Sequence, residues 1–143
     1  IGIIADAGSD LASVAKLVKA ILAKGAVPLV TAPVGGVLRS GRRSVIVERT
    51  FLTARSIEFD AVLVAAGTTA TDVKLTVLLQ EAYRHCKAIG AWGDGAALLK
   101  AALIPVKGAG VLIADDADKA FTAQLVAAVG LHRVRDRAGQ VRA

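Results

Sequence analysis

Apolar residues in this chain fall into short unbroken runs, separated by longer stretches in which they recur every three or four positions. "IGIIAD" (1–6) is a run of the first kind and predicts a strand covered on both faces. In "GSDLASVAKLVKAILAKG" (8–25), Leu11, Val14, Val18, Ile21 and Leu22 recur at helical spacing. Ser9 or Asp10 can cap the first amides there, and Gly25 stands where a left-handed terminus is wanted. "AVPLVTA" (26–32) returns as a strand ended by Pro33. Strand, helix and strand within about 30 residues make a βαβ unit, which implies a parallel pair with a right-handed crossover.

Residues 34–58 break this rhythm. "GGVLRSGRRSVIVERT" predicts two short strands about the turn "RSGRRS", followed by a short helical or irregular piece, "TFLTARS". "FDAVLVAAG" (59–67) is the next buried strand. A long helix is expected from about Thr71 to Lys87, capped by Thr71 or Asp72, with Val73, Val77, Leu78, Ala82 and Cys86 sharing an inward face. "AIGAW" is the fourth parallel strand, "DGAALLKAAL" a helix, and "GAGVLIAD" the fifth strand. "DADKAFTAQLVAAVGLH" is the last helix, with Asp116 or Asp118 at its start. The expected architecture is α/β: a three-layer, flavodoxin-like sandwich with a mostly parallel central sheet and a small antiparallel hairpin insertion. The domain is expected over residues 1–132, with a basic, flexible tail over 133–143.

Composition fits one domain. With 55% hydrophobic residues, 3% aromatic and 21% charged among 143, the core must be built from Ala, Val, Leu and Ile. No apolar run reaches the ~20 residues a membrane-spanning helix needs, so no membrane partner is expected. The single cysteine, Cys86, cannot close an internal disulfide or build a multi-cysteine metal site, and it fits a reducing, cytoplasmic setting. The lack of Met and the opening directly on a strand imply a chain cut from something longer.

The formal charge of +6 is spread over three groups: Lys16, Lys19 and Lys24 on one helix, Arg39, Arg42 and Arg43 about a turn, and Arg133, Arg135, Arg137 and Arg142 in the tail. They are read as separate solvated groups. Without zinc-finger spacing or an aromatic-studded strand, no nucleic-acid partner is expected.

Candidate chemistry centres on "KAIGAWGDGAALLKAA" (87–102). It has the cadence of a strand entering a sharp glycine turn and then a helix, the setting in which hydrolases hold a nucleophile, yet the turn carries no Ser, Cys or Thr. His85 and Cys86 are adjacent, so on a helix they point about 100° apart and cannot act as a nucleophile–base pair. Cys86 is expected in the core, His85 paired with Glu81 one turn earlier, His132 at the surface or a cap, and Trp92 between sheet and helix. Neither "GDGAALL" nor "AGSDLAS" matches a phosphate-binding glycine motif. The two histidines have no metal-ligand spacing, so no metal is expected.

The order of elements, the hairpin insertion, "VERTFLTARSIEFDAVLVAAG", "EAYRHCKAIGAWGDGAALLKAA" and "ADKAFTAQLVAAVGLHRVRDR" together resemble the C-terminal domain of large-subunit haem catalases. That domain is similar in turn to the class I glutamine amidotransferase-like superfamily, which includes PfpI-type intracellular proteases. The superfamily elbow reads like A-A-I-C-x-G-P, and in that register Gly93 takes the place of the nucleophilic cysteine, flanked by Trp92, Asp94 and Gly95. The resemblance therefore implies a degenerate elbow with no catalytic residue, Asp94 reading as a helix cap. The activating carboxylate would fall near Ser13, with Asp10 the nearest acid.

In the family, peroxide disproportionation occurs at a haem held by the preceding core, and Tyr83 lacks the context of a haem ligand. No cofactor is expected in this chain. The resemblance implies a non-catalytic accessory domain that contributes stability, subunit contacts and chaperone-like activity. Its partners would be the catalase core domain, neighbouring subunits and unfolded client proteins. The alternatives are a PfpI-type cysteine hydrolase or deglycase, and a nucleotide- or flavin-binding module.

Overall fold

In the computed structural model, which describes residues 1–141, the chain alternates strand and helix as the apolar pattern requires. The elements are β1 (Gly2–Ile4), α1 (Leu11–Ala23), β2 (Leu29–Ala32), β3 (Gly36–Ser40), β4 (Arg43–Val47), β5 (Arg49–Thr50) and β6 (Ala61–Val64). They continue with α2 (Val73–Arg84), β7 (Ala88–Trp92), α3 (Ala96–Ala101), β8 (Val111–Ala114), α4 (Lys119–Gly130) and α5 (Ala138–Val141). Three 3-10 turns lie at Ser56–Glu58, Gly93–Gly95 and Arg135–Arg137.

Six strands pair in parallel in the order β5-β2-β1-β6-β7-β8, while β3 and β4 form a separate antiparallel hairpin. Leaving aside the two-residue β5, the order is that of a flavodoxin-like sheet. Successive side chains on a strand face opposite ways, which divides the core in two. Ile3, Ala5, Leu63 and Ala65 meet Leu11, Val14, Leu17 and Ile21 of α1 and Phe121 and Leu125 of α4. Ile4, Val62, Val64 and Ile89 meet Leu75, Leu78, Leu79 and Ala82 of α2 and Leu99 of α3. The three-layer sandwich with a hairpin insertion is thus the one the sequence predicts.

Three of the four longest helical starts are set by aspartates. Asp10, Asp72 and Asp118 accept from the amides of Ser13, Lys74 and Phe121 at 3.2, 2.7 and 2.8 Å.

Several details differ from the expectation. A sixth parallel strand appears because the chain leaves the hairpin at Glu48, whose Oε2 accepts from Val30 N at 2.7 Å, so that Arg49 and Thr50 pair with β2. The buried stripe of α2 is Leu75, Leu78, Leu79 and Ala82, whereas Val73 and Val77 are exposed. This helix stops at Arg84, because the chain must enter the sheet at Ala88, and so Cys86 lies beyond it.

The expected flexible tail is also folded over its first residues. Val134 is buried, and Arg137 is 1% exposed with its guanidinium 4.2 Å above the Tyr83 ring. Arg137 Nη1 donates to the carbonyls of Lys87 (2.7 Å) and Tyr83 (3.3 Å), and Nη2 donates to that of Ala109 (2.6 Å). Spare carbonyls at the α2 and β8 ends thus bind a segment whose charge suggested fraying. Arg142 lies outside the described residues.

Candidate functional site

The glycine turn after β7 is a sharp strand-to-helix elbow. Trp92 ends the strand in extended conformation, Gly93 turns the chain with φ +57°, and the 3-10 turn leads into α3. A side chain at such a φ costs about 1–2 kcal/mol for any L-residue. Space is a second constraint: a Cβ on Gly93 would lie 2.8 Å from Ala66 Cβ, and one on Gly95 would lie 2.7 Å from Val64 O. The elbow therefore sits so close to the end of β6 that both positions require glycine.

Asp94 is not a helix cap. Its Oδ1 accepts from Gly67 N at 2.6 Å, tying the elbow to the loop after β6, and the α3 cap position is Gly95. The short 3-10 turn aims the Asp94 carboxylate sideways at that loop rather than down the helix axis.

Trp92, 1% exposed, packs between sheet and helices as expected. Its ring meets Phe121 edge-on at 6.1 Å and 61°, and its Nε1 donates to Ser13 Oγ at 2.9 Å. Ser13 Oγ in turn donates to Asp10 O at 2.8 Å, while the Asp10 carboxylate accepts from Ser13 N. Where the resemblance puts an activating carboxylate, the chain has a hydroxyl engaged with an indole. At the elbow Gly93 carries no side chain, the Ser13 hydroxyl is engaged with Trp92, and Asp94 and Asp10 each direct one carboxylate oxygen to a backbone amide.

A second place where α/β sheets bind ligands is the crevice at the strands' carboxyl ends where the strand order reverses, here between β1 and β6. Asp6, 7% exposed, ties its two sides together beneath a depression of about 480 Å³ that it lines with Gly8, Thr69 and Val34. Its Oδ1 accepts from Gly8 N at 2.9 Å and its Oδ2 from Thr69 N at 2.8 Å. Asp6 N donates to Ser9 Oγ (2.8 Å), which lies 2.7 Å from Thr68 Oγ1, and Asp10 N donates to Ala66 O at 2.8 Å. Gly67, at φ +78°, lies against Gly8, since an added Cβ would stand 2.5 Å from Gly8 O. Amides that a phosphate would need are already held by the Asp6 carboxylate. Sequence reasoning passed over Asp6; the available signal was an acid immediately after a buried strand and just before a glycine.

The remaining candidates are scattered. His85 caps the end of α2, and its Nδ1 lies 2.9 Å from Ser56 Oγ; Glu81 is touched only through its carbonyl, which accepts from His85 N. The 3-10 turn at Ser56–Glu58 packs closer to that ring than the glutamate one turn back. Cys86, half-buried at φ +57°, is a turn residue rather than a core one, with Sγ 3.8 Å from Arg84 O. His132 is exposed at a φ of +60°, with Nδ1 3.5 Å from Asp60 Oδ1. Burial lowers the pKa of Lys87 and of Arg137 from their ordinary values. Among the described residues no cluster of His, Cys, Asp and Glu could hold a metal ion, and no helix is long and apolar enough to cross a membrane.

With this geometry in hand, the relatives fall into place. The family described as the C-terminal domain found in long catalases matches residues 1–139. Catalase-2 of Bacillus subtilis (strain 168) is 40% identical over 91 residues, 62% of this chain and 13% of that protein. Catalase HPII of Mycobacterium avium is 36% identical over 125 residues, 82% of this chain and 17% of that protein. The chain thus spans under a fifth of the length of either relative. A ThiJ/PfpI domain protein from Brachyspira murdochii superposes with a TM-score of 0.73 over 91% of this chain and 95% of its own, at 13% identity, which shows the shared fold. By the family match over nearly its whole length, the chain belongs to the C-terminal domains found in long catalases.

Proposed function

We propose that this chain is a non-catalytic accessory domain of a large-subunit haem catalase, contributing stability and subunit contacts to a parent that disproportionates hydrogen peroxide. The observation that supports this reading is at the elbow: Gly93, which the resemblance puts in the place of a catalytic thiol, has Ala66 in the space a side chain would need. Family membership supports the parent activity.

The residues here do not fit a haem. Tyr83 lies under the Arg137 guanidinium, His85 is engaged with Ser56, and His132 faces Asp60. A parallel sheet covered on both faces makes a stiff body, and docking it on a core would contribute roughly 25 cal/mol per Å² of apolar surface before association costs are subtracted. Exposed Val34, Val37 and Ile46 would let an undocked copy hold unfolded clients.

Deleting this chain from the parent should leave turnover per haem and the haem spectrum unchanged while lowering the urea midpoint of subunit dissociation. Equal midpoints with and without it would overturn the bracing role. For the isolated chain, slow iodoacetamide labelling of Cys86 and no peptidase activity are expected, whereas rapid labelling with peptide hydrolysis would restore the cysteine-hydrolase alternative. Suppressed aggregation of a heated client is the expected outcome for the chaperone-like role, and unchanged aggregation removes it.

A further inference from the structure

Cations that look separate in the sequence share one face in the fold. The β3–β4 hairpin folds back over α1 because Leu38 and Val45 pack into the α1 side of the core. Lys16 and Lys19 of α1 and Arg43 of β4 thereby line a single groove of about 420 Å³, floored by Ala12, Ser13 and Ala15. An adjoining depression of about 290 Å³ runs on over Val18, Val30, Val45 and Ile46 and shares Lys19 and Ala15. Arg39 and Arg42 stand exposed beside Arg43 at the hairpin tip.

None of these five cations has a carboxylate within ion-pair distance among the described residues, where the ion pairs are Arg49–Glu58 and His132–Asp60. Glu48, at the rim of the depression, directs its carboxylate to Val30 N. The face is therefore a largely apolar floor bordered by five cations without ion-pair partners among the described residues and by the single Glu48 carboxylate. A second copy docked face to face would set cation against cation, which is unfavourable. Single-stranded nucleic acid would want an aromatic platform, yet Trp92, Phe51, Phe59 and Phe121 are buried and Tyr83 is stacked under Arg137.

We propose that the groove between α1 and the β3–β4 hairpin is the surface by which this domain seats on the catalase core, against a patch with an apolar centre and an Asp/Glu rim. The proposal rests on the accessory-domain reading above and names its contact face. Charge complementarity selects the partner's rim, and the apolar floor selects its centre.

The test uses the full-length catalase with a specific protease site placed just before Ile1. After cleavage the wild-type domain should co-elute with the core, and the K16E/K19E/R43E variant should bind it at least about tenfold more weakly. A K74E/K100E/K107E control, reversed on other faces, should bind as the wild type does. All six side chains are surface cations, and circular dichroism of each variant checks that it folds. On the uncut wild type, carbodiimide should join Lys16 or Lys19 to carboxylates outside residues 1–143, with the yield falling in about 0.5 M salt.

If the wild-type domain separates from the core on cleavage, the accessory reading itself fails. If it stays bound and the groove variant binds equally well, the groove is not the contact and the accessory reading stands. Submicromolar binding of the isolated chain to an oligonucleotide duplex, abolished by the same three reversals, would reassign the face to nucleic acid.

Discussion

A Cβ on Gly93 would stand 2.8 Å from the Cβ of Ala66, closer than two such carbons approach in folded proteins. The elbow thus lacks both a nucleophile and the room for one. Gly93→Ala should destabilise the domain by about 2–4 kcal/mol, from the left-handed φ and the crowding together. Ala66→Gly should recover the crowding share but not the φ share, leaving a deficit of about 1–2 kcal/mol. Urea denaturation of the double-mutant cycle measures both. Gly93→Cys should give no iodoacetamide-sensitive hydrolase, since the nearby Asp94 and Asp10 carboxylates are directed to Gly67 N and Ser13 N.

Ser13 accepts the one polar hydrogen of a fully buried indole, so its removal leaves that N–H unpaired. Ser13→Ala should cost about 1–3 kcal/mol, and Ser13→Thr, which keeps the hydroxyl, should recover most of it. Trp92 is the single tryptophan, so its fluorescence reports on the elbow directly. A Ser13→Ala domain as stable as the wild type would mean that the indole finds another acceptor.

The sheet and its two faces were readable from the sequence because buried parallel strands appear as apolar runs and because Asp10, Asp72 and Asp118 sit where caps are needed. The sharp turn at Gly93 was readable too, since a strand-to-helix bend with positive φ favours glycine. Asp6 was not, because its partner Thr69 lies 63 positions away and only the pairing of β1 with β6 brings the two together. Nor was the clustering of Lys16, Lys19 and Arg43, which depends on how the hairpin folds back. For α2, several apolar residues fit more than one helical face, and packing against β6 and β7 chose Leu75 and Leu79 over Val73 and Val77.

Arg137 anchors the C-terminal segment by donating to three carbonyls, of Tyr83 in α2, Lys87 just before β7 and Ala109 before β8, while its Nε is buried without a partner. Among the described residues no carboxylate pairs with it, and its contacts there are hydrogen bonds and the stacked Tyr83 ring. Arg137→Ala should destabilise the domain by about 2–4 kcal/mol and speed amide exchange across residues 133–139. Arg137→Lys should recover less than half, because an ammonium on a flexible stem cannot span three fixed acceptors. Unchanged exchange in the alanine variant would show that Val134 alone holds the segment.

Lys87 is 3% exposed, and its pKa is lowered from the ordinary lysine value, first by desolvation, then by Arg133, with Asp60 opposing. Between that lowered folded pKa and the ordinary value the unfolded chain binds more protons than the folded one, so stability from this group rises with pH across the window. Below the window the folded state carries the full penalty of a buried ammonium; above it, both states are neutral and the penalty is gone. Lys87→Met removes the ionisable group while keeping the length of the stem. The variant should therefore be more stable than the wild type at about pH 7, with the advantage shrinking toward about pH 10. Every other ionisable group is common to the two proteins, so its contribution cancels in the difference between them. Urea midpoints across that range test the claim. A constant difference would mean that the Lys87 ammonium reaches solvent in the folded state and that burial leaves its charge unpenalised.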